Sequence, residues 1–180
     1  MTSDAARTRP LDLDDLTFRR PTEADHPRLA DVIDEWWGGR RMRALLPRLW
    51  LQHFSGTSWV VERPDGRLEG FVVAFVSHDD PSTGYVHMIA ANPNRRRSGV
   101  GRALYERAFA DLAAHGARRV TAVTWPGNRQ SVAFHLAMGF RIDDSPGTQK
   151  IYGITAHPDY DGEGEDRVVF FKDLQGAEHE

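Results

Sequence analysis

The stretch "GYVHMIAANPNRRRSGVGRALYERAFADLAAHGARRVTAVTW", residues 84–125, constrains the fold of this chain more than any other part of it. A β-rich run precedes a loop with three arginines and two glycines, and a helical stripe follows. Val100, Leu104, Ala108 and Leu112 recur every four residues, with Tyr105 and Phe109 widening the same face. The helix stops near Gly116, and "RRVTAVTW" reads as a buried strand. A strand, a glycine loop and a helix start together make an anion site. The first-turn N–H groups have no partner inside the helix, whose dipole adds positive charge at that end. Arg95, Arg96 and Arg97 supply counter-charge.

The flanking sequence supplies further elements. "LTFRR" is a short strand. "PTEADHPRLADVIDEWW" is a helix, with Thr22 at its cap and Asp25 three residues later, broken by Gly38-Gly39. "RMRALLPRLWLQHF" is a second helical stretch split at Pro47. "TSWVVER" and "EGFVVAFVSH" form a hairpin around "PDGR". "NRQSVAFHLAM" is a short helix stopped by Gly139, followed by the strand "FRI". Residues 143–166 read as a long loop with one short apolar piece, "IYGIT", before the last strand, "DRVVFFKDL". This order predicts a single α/β domain: a twisted mixed sheet of about six to seven strands with about four flanking helices. Residues 1–15 are expected to be a flexible tail, 16–175 the domain, and 176–180 a C-terminal tail.

A length of 180 residues suits one domain. The formal net charge of -3 argues against a general nucleic-acid binder, which would be basic. With no cysteine, the chain has no disulfide, no thiolate metal site and no acyl-cysteine intermediate. No apolar run reaches membrane-spanning length and the first residues lack a signal-peptide centre. The expectation is a cytoplasmic monomer or homodimer with no membrane partner, no nucleic-acid partner and no metal. Two rival phosphate motifs fail. A dinucleotide fingerprint needs glycine at 104, which is Leu104, and a nucleotide P-loop needs Gly-Lys-Ser/Thr, which is absent.

The segment Arg96-Arg97-Ser98-Gly99-Val100-Gly101 resembles the acyl-CoA-binding motif of the GNAT acetyltransferase superfamily, Gln/Arg-x-x-Gly-x-Gly/Ala. Downstream, "WPGNRQSVAFHLAMGF" resembles that family's Asn, short helix and Gly-Phe pair, here Asn128, Ser131, Gly139 and Phe140. The order of elements matches from about residue 17 to 174. The resemblance implies that the anion is the pyrophosphate of acetyl-CoA, the co-substrate, held by Arg96, Arg97, Ser98, Gly99, Val100, Gly101 and Arg102, with Asn128 and Ser131 nearby. It further implies that backbone N–H groups of Ile89, Ala90 and Ala91 meet the thioester oxyanion, and that the acceptor is an amine of a small molecule or peptide. A catalytically silent acyl-CoA-binding module is the alternative, and an RNA-associated protein using the arginine run is a third.

A primary alkylamine has a pKa near ~10, so at neutral pH it must lose a proton before it attacks. The site must also stabilise an oxyanion and protonate the leaving thiolate. Without cysteine, the amine attacks acetyl-CoA directly. The family's usual acid is a tyrosine four residues before the Gly of Gly-Phe; here His135 stands there. It is either the acid or a helix-surface histidine, with water protonating the thiolate. His87, two residues before Ile89, is either the base or a histidine held by packing. Glu35, beside Trp36 and Trp37, is either an acceptor-side base or a solvated helix residue. The acids of "HPDYDGEGED" either attract a cationic acceptor or keep a loop soluble.

Overall fold

The computed structural model describes residues 12–95 and 98–174. In chain order its elements are β1 (Thr17–Arg19), α1 (His26–Trp36), α2 (Leu49–His53), β2 (Trp59–Glu62), β3 (Leu68–Val76), β4 (Thr83–Ala91), α3 (Val100–Ala114), β5 (Arg119–Thr124), α4 (Arg129–Ala137), β6 (Arg141–Ile142), β7 (Gln149–Ile151), β8 (Ile154–Ala156) and β9 (Val168–Asp173). A 3-10 turn at Arg43–Leu45 precedes α2, and Pro47 lies between the two.

Strand β3 is buried over its first seven residues, so both of its faces must be covered. It lies inside a seven-stranded sheet of order β1-β2-β3-β4-β5-β9-β6. Strands β4 and β5 are parallel and every other neighbouring pair is antiparallel. Helix α3 makes the crossover that a parallel pair requires. Its stripe of Val100, Leu104, Tyr105, Ala108 and Leu112 packs in one core with Val72, Ala74, Val86 and Val120. Gly70 permits that approach, because a Cβ there would lie 2.9 Å from Leu104, Val100 and the Ala90 carbonyl. On the opposite face, Leu29 and Ile33 of α1 pack with Leu46, Leu51, Phe71, Val73 and Met88. Successive residues of β3 therefore serve two cores, as the two-residue period of a strand dictates.

Two expectations need correction. The piece "IYGIT" is not loop: β7 and β8 form a hairpin closed by Tyr152 and Gly153, both at positive φ. That two-residue turn suits the twist of the strands, and Ile151 and Ile154 pack against the core. The flexible tail does not extend to residue 15. The Asp12 carboxylate accepts the Leu13 N–H at 2.7 Å, the Asp15 carboxylate accepts the Asp12 N–H at 2.8 Å, and Leu13 packs on the core. The remainder of that segment, and residues 176–180, lie outside the described residues.

An ion cluster ties β1, β2 and the start of α1 together. Arg19 donates to both oxygens of Asp25, at 2.8 and 2.6 Å, and to Glu62 at 3.0 and 2.8 Å; Arg28 adds a bond to Glu62 at 2.6 Å. Burial pushes the Asp25 carboxyl up, but hydrogen bonds from Arg19 and Thr22 outweigh it and hold the group below its ordinary value. Removing one partner of such a buried pair is costly, so Asp25→Ala is expected to lose about 3 kcal/mol in urea denaturation at neutral pH. Because the folded pKa is depressed, this contribution exists above the ordinary carboxylate value and disappears as pH falls through the folded one. The gap between wild type and variant is therefore expected to shrink below about pH 4.

Candidate active site

Strands β4 and β5 pair only where Thr83–Val86 meets Arg119–Ala122. Beyond that point β4 continues along β3 to Ala91, β5 continues along β9 to Thr124, and the two strands part. From His87 onward, the edge of β4 turned toward β5 has no strand partner, which leaves backbone N–H and C=O groups for a ligand. A cleft of about 920 Å³ occupies the gap, within the usual range for a small-molecule site. Ile89, Ala90 and Ala91 line it.

At the cleft's other wall α3 begins. Gly99, at φ +84°, precedes the helix and no side chain caps it. The first helical bond runs from the Ala103 N–H to the Gly99 carbonyl, at 2.9 Å, so the N–H groups of Val100, Gly101 and Arg102 have no helical acceptor. Ser98, Gly99, Val100, Gly101 and Arg102 all line the cleft, as do Asn128 and Ser131. Gly101 faces Phe134 so closely that a Cβ would lie 3.0 Å from its ring. Asn128 also has a structural task, accepting the Ser131 N–H at 3.2 Å to cap α4. Arg95 lines the cleft and lies 3.9 Å from the buried carboxylate of Glu69, which is 3.1 Å from Arg63. Arg96 and Arg97 lie outside the described residues.

His135 lines the cleft but is a core residue rather than a surface one. Its ring stacks on Phe170 at 4.5 Å. The Nδ1–H donates to the Ser131 carbonyl at 2.8 Å, which leaves Nε2 to accept the Tyr105 hydroxyl at 2.8 Å. Both ring nitrogens are thereby engaged with protein groups. Burial lowers its pKa, and the bond to Ser131 only partly offsets this.

His87 is the extra residue of a bulge: Val73 pairs with Met88 and Ala74 with Val86, which leaves His87 unmatched. Its Nε2–H donates to the Leu45 carbonyl at 2.7 Å, and its ring stacks on Trp50 at 4.1 Å. Burial lowers the pKa here too, so the ring is neutral at pH 7 with the Nδ1 lone pair left over. Tyr85 shares this face, and burial lifts its phenol to about 12, with smaller contributions from Tyr160 and Asp161. These neighbours bring the acidic loop to the His87 side of the sheet. The loop is folded on itself: Asp161 pairs with Arg167 at 2.6 Å, and Asp159 accepts the Gly164 N–H at 2.6 Å.

Glu35 is exposed and does not line the cleft. Trp36 and Trp37, beside it, do line the cleft, and both rings also meet Phe71, at 6.2 and 6.1 Å. Sequence reasoning missed Phe134, Gln130 and Arg40. Helical spacing puts Gln130 and Phe134 beside Ser131 and His135, so the first two were within reach of the period. Nothing in the sequence distinguishes Arg40 from its neighbour Arg41.

Comparison with known proteins agrees with this geometry. The profile of the acetyltransferase (GNAT) family matches residues 13–140. The chain belongs to the GNAT acetyltransferase family. It is 30% identical over 139 residues to an L-2,4-diaminobutyric acid acetyltransferase from Nocardia farcinica, covering 74% of this chain and 72% of that protein. Among solved structures, it resembles a diaminobutyrate acetyltransferase from Paenibacillus lautus in complex with its substrate and coenzyme A. That match has a TM-score of 0.63 and 23% identity, over 88% of this chain and 95% of that one. It also resembles a phosphinothricin acetyltransferase from Sinorhizobium meliloti in complex with acetyl-CoA, with a TM-score of 0.66 and 20% identity over 92% of each chain. As a GNAT acetyltransferase, the chain is an enzyme that moves an acetyl group from acetyl-CoA to an amine.

Gly101→Leu is expected to abolish acetyl-CoA binding in calorimetry while leaving the circular dichroism spectrum unchanged, because the new side chain must displace Phe134 into the cleft. Unchanged affinity would move the cofactor elsewhere. His135→Phe keeps the ring but strands the buried Tyr105 hydroxyl, at an expected cost of about 1–3 kcal/mol in urea at pH 8. A histidine whose folded pKa is depressed costs stability as pH falls through its unfolded value, near 6.5, toward the folded one. The variant is therefore expected to lose less stability than wild type between pH 8 and pH 5.5. Equal acid sensitivity would count against a neutral buried ring.

Proposed function

We propose that this enzyme acetylates the primary amine of a small molecule by direct attack on acetyl-CoA bound in the cleft between β4 and β5. The observation that carries this is the unpaired edge of β4, leading directly to the uncapped start of α3. Pyrophosphate meets the N–H groups of Val100, Gly101 and Arg102, with Arg95 and Arg102 as counter-charges. The pantetheine arm runs along β4, and the thioester oxygen faces the backbone of Ile89–Ala91. A small-molecule acceptor is supported by the two diaminobutyrate acetyltransferases among the relatives. On this reading the enzyme acts in the cytoplasm, as a monomer or homodimer, through the described acetyltransferase domain.

An ammonium acceptor loses one proton to a base before its nitrogen attacks the acetyl carbon. The tetrahedral oxyanion forms against backbone N–H groups, the C–S bond breaks, and the second amine proton ends on the CoA thiolate. His87 is the better base of the two histidines, since burial lowers its pKa and its Nδ1 lone pair is left over; as it does not line the cleft, its part is to draw the proton through water. His135 has no uncommitted N–H for the thiolate, so it acts here as the floor of the site, and water relays the second amine proton to the thiolate. Glu35 stays outside the chemistry.

The direct test is release of CoA thiol when a panel of small amines is added with acetyl-CoA. Release with peptides only would overturn the small-molecule acceptor. For the base, His87→Gln keeps a donor for the Leu45 carbonyl but removes the proton acceptor. Its kcat is expected to fall about 10²-fold at pH 7, with the deficit narrowing toward pH 10 as the amine loses its own proton. A deficit independent of pH would remove His87 from proton transfer.

A further inference from the structure

Three arginines line the cleft, Arg95, Arg102 and Arg40, and among its described lining residues there is no Asp or Glu. Arg95 and Arg102 flank the glycine loop, where the donor's phosphates need them. Arg40 comes from elsewhere in the chain. Gly38 and Gly39, both at positive φ, turn the backbone away from the end of α1 and deliver Arg40 across the cleft. Its guanidinium carbon lies 5.1 Å from the centroid of Trp125, the residue after β5. Trp125 in turn meets the ring of Tyr152, in the β7–β8 turn, edge-on at 5.6 Å. Arg40 thus reaches from one side of the strand parting to the other.

An aromatic face holds a guanidinium by its charge without consuming its N–H donors. Among the described residues no carboxylate pairs with Arg40, although the chain carries 26 acids against 23 lysines and arginines. A cation fixed over an indole, in a wall without acids, is a receptor for an anion. On the reading above, the donor's pyrophosphate is met at the glycine loop rather than at Arg40. The anion left over belongs to the acceptor.

We propose that Arg40, held over Trp125, binds the carboxylate of the acceptor, so that the substrate is an amino acid or another amine bearing a carboxylate. This rests on the reading of the enzyme as a small-amine acetyltransferase. Bidentate pairing would fix the acceptor at its carboxylate end and leave a separate amine to face the thioester. Selectivity then comes from the missing contact: an amine without the carboxylate forgoes the charge-assisted pairing with Arg40, whose side chain is otherwise exposed to solvent.

The test uses pairs that differ only in the carboxylate: L-2,4-diaminobutyrate against 1,3-diaminopropane, and L-lysine against cadaverine. Wild type is expected to prefer the carboxylated member of a pair. In Arg40→Ala, KM for that member is expected to rise about ten- to hundredfold, the range for one charge-assisted contact. KM for its decarboxylated partner and for acetyl-CoA should change less than about twofold. Arg40→Lys, which keeps the charge but not the fork, should fall between wild type and Ala. Equal losses on both members would make Arg40 a structural strap and overturn the proposal. Wild-type preference for the decarboxylated amines would overturn it alone and leave small-amine acetylation standing. Turnover of neither kind, with acetyl-CoA still bound, would sink the small-amine reading and this proposal with it.

Discussion

Everything at the active site follows from the parting of two parallel strands. Had β4 and β5 stayed paired to their ends, the backbone of His87–Ala91 would be saturated and no thioester could lie against it. The parting is maintained from both sides: β4 keeps its ladder with β3, and β5 keeps its ladder with β9. Neither strand has to leave the sheet. The bulge at His87 begins where the partnership ends, and it redirects one side chain while the backbone separates. Gly70 lets α3 settle close to β3, so the helix start arrives at the mouth of the gap.

The glycine-loop side of the cleft was legible in the sequence, as shape, because it is local. Strand, loop, helix and the cap at Asn128 each depend on neighbours within a few residues, and glycine has few other reasons to occupy such a loop. The stripe on α3 gave the core face by period alone. The hydrogen-bond partners of the two histidines were not legible, because most of them lie far along the chain. His135 stood at a recognisable position, yet what engages its two nitrogens is Ser131, one turn back, and Tyr105, on another helix. For His87 the deciding group is a backbone carbonyl at Leu45, about which residue types say nothing. The β7–β8 hairpin escaped notice for a related reason: each strand is three residues long, too short for alternation to stand out.

Charge is also distributed unevenly across the molecule. The chain is acidic overall, but among the described residues several arginines are committed to carboxylates, Arg19 and Arg28 within the Asp25–Glu62 cluster and Arg20 at Asp111. The folded acidic loop neutralises much of itself through Arg167. What faces the cleft is therefore positive by selection of position rather than by composition, while His87 itself sits among the rings of Trp50, Phe75 and Tyr85. Of the two histidines only His135 lines the cleft, and in both burial rather than a neighbouring cation lowers the pKa.

The two ends of the cleft differ in how the chain builds them. On the proposed reading the donor end comes from the described residues within 89–95 and 98–102, plus one helix shortly after them. The far end is lined by Trp36, Trp37, Gly38 and Arg40, and behind Arg40 stand Trp125 and the tip of a hairpin whose Tyr152 is 60% exposed. Change at that tip costs no core packing and touches no residue of the glycine loop. A lineage carrying this scaffold can thus alter what it acetylates one surface residue at a time, while the machinery for the acetyl donor is inherited unchanged.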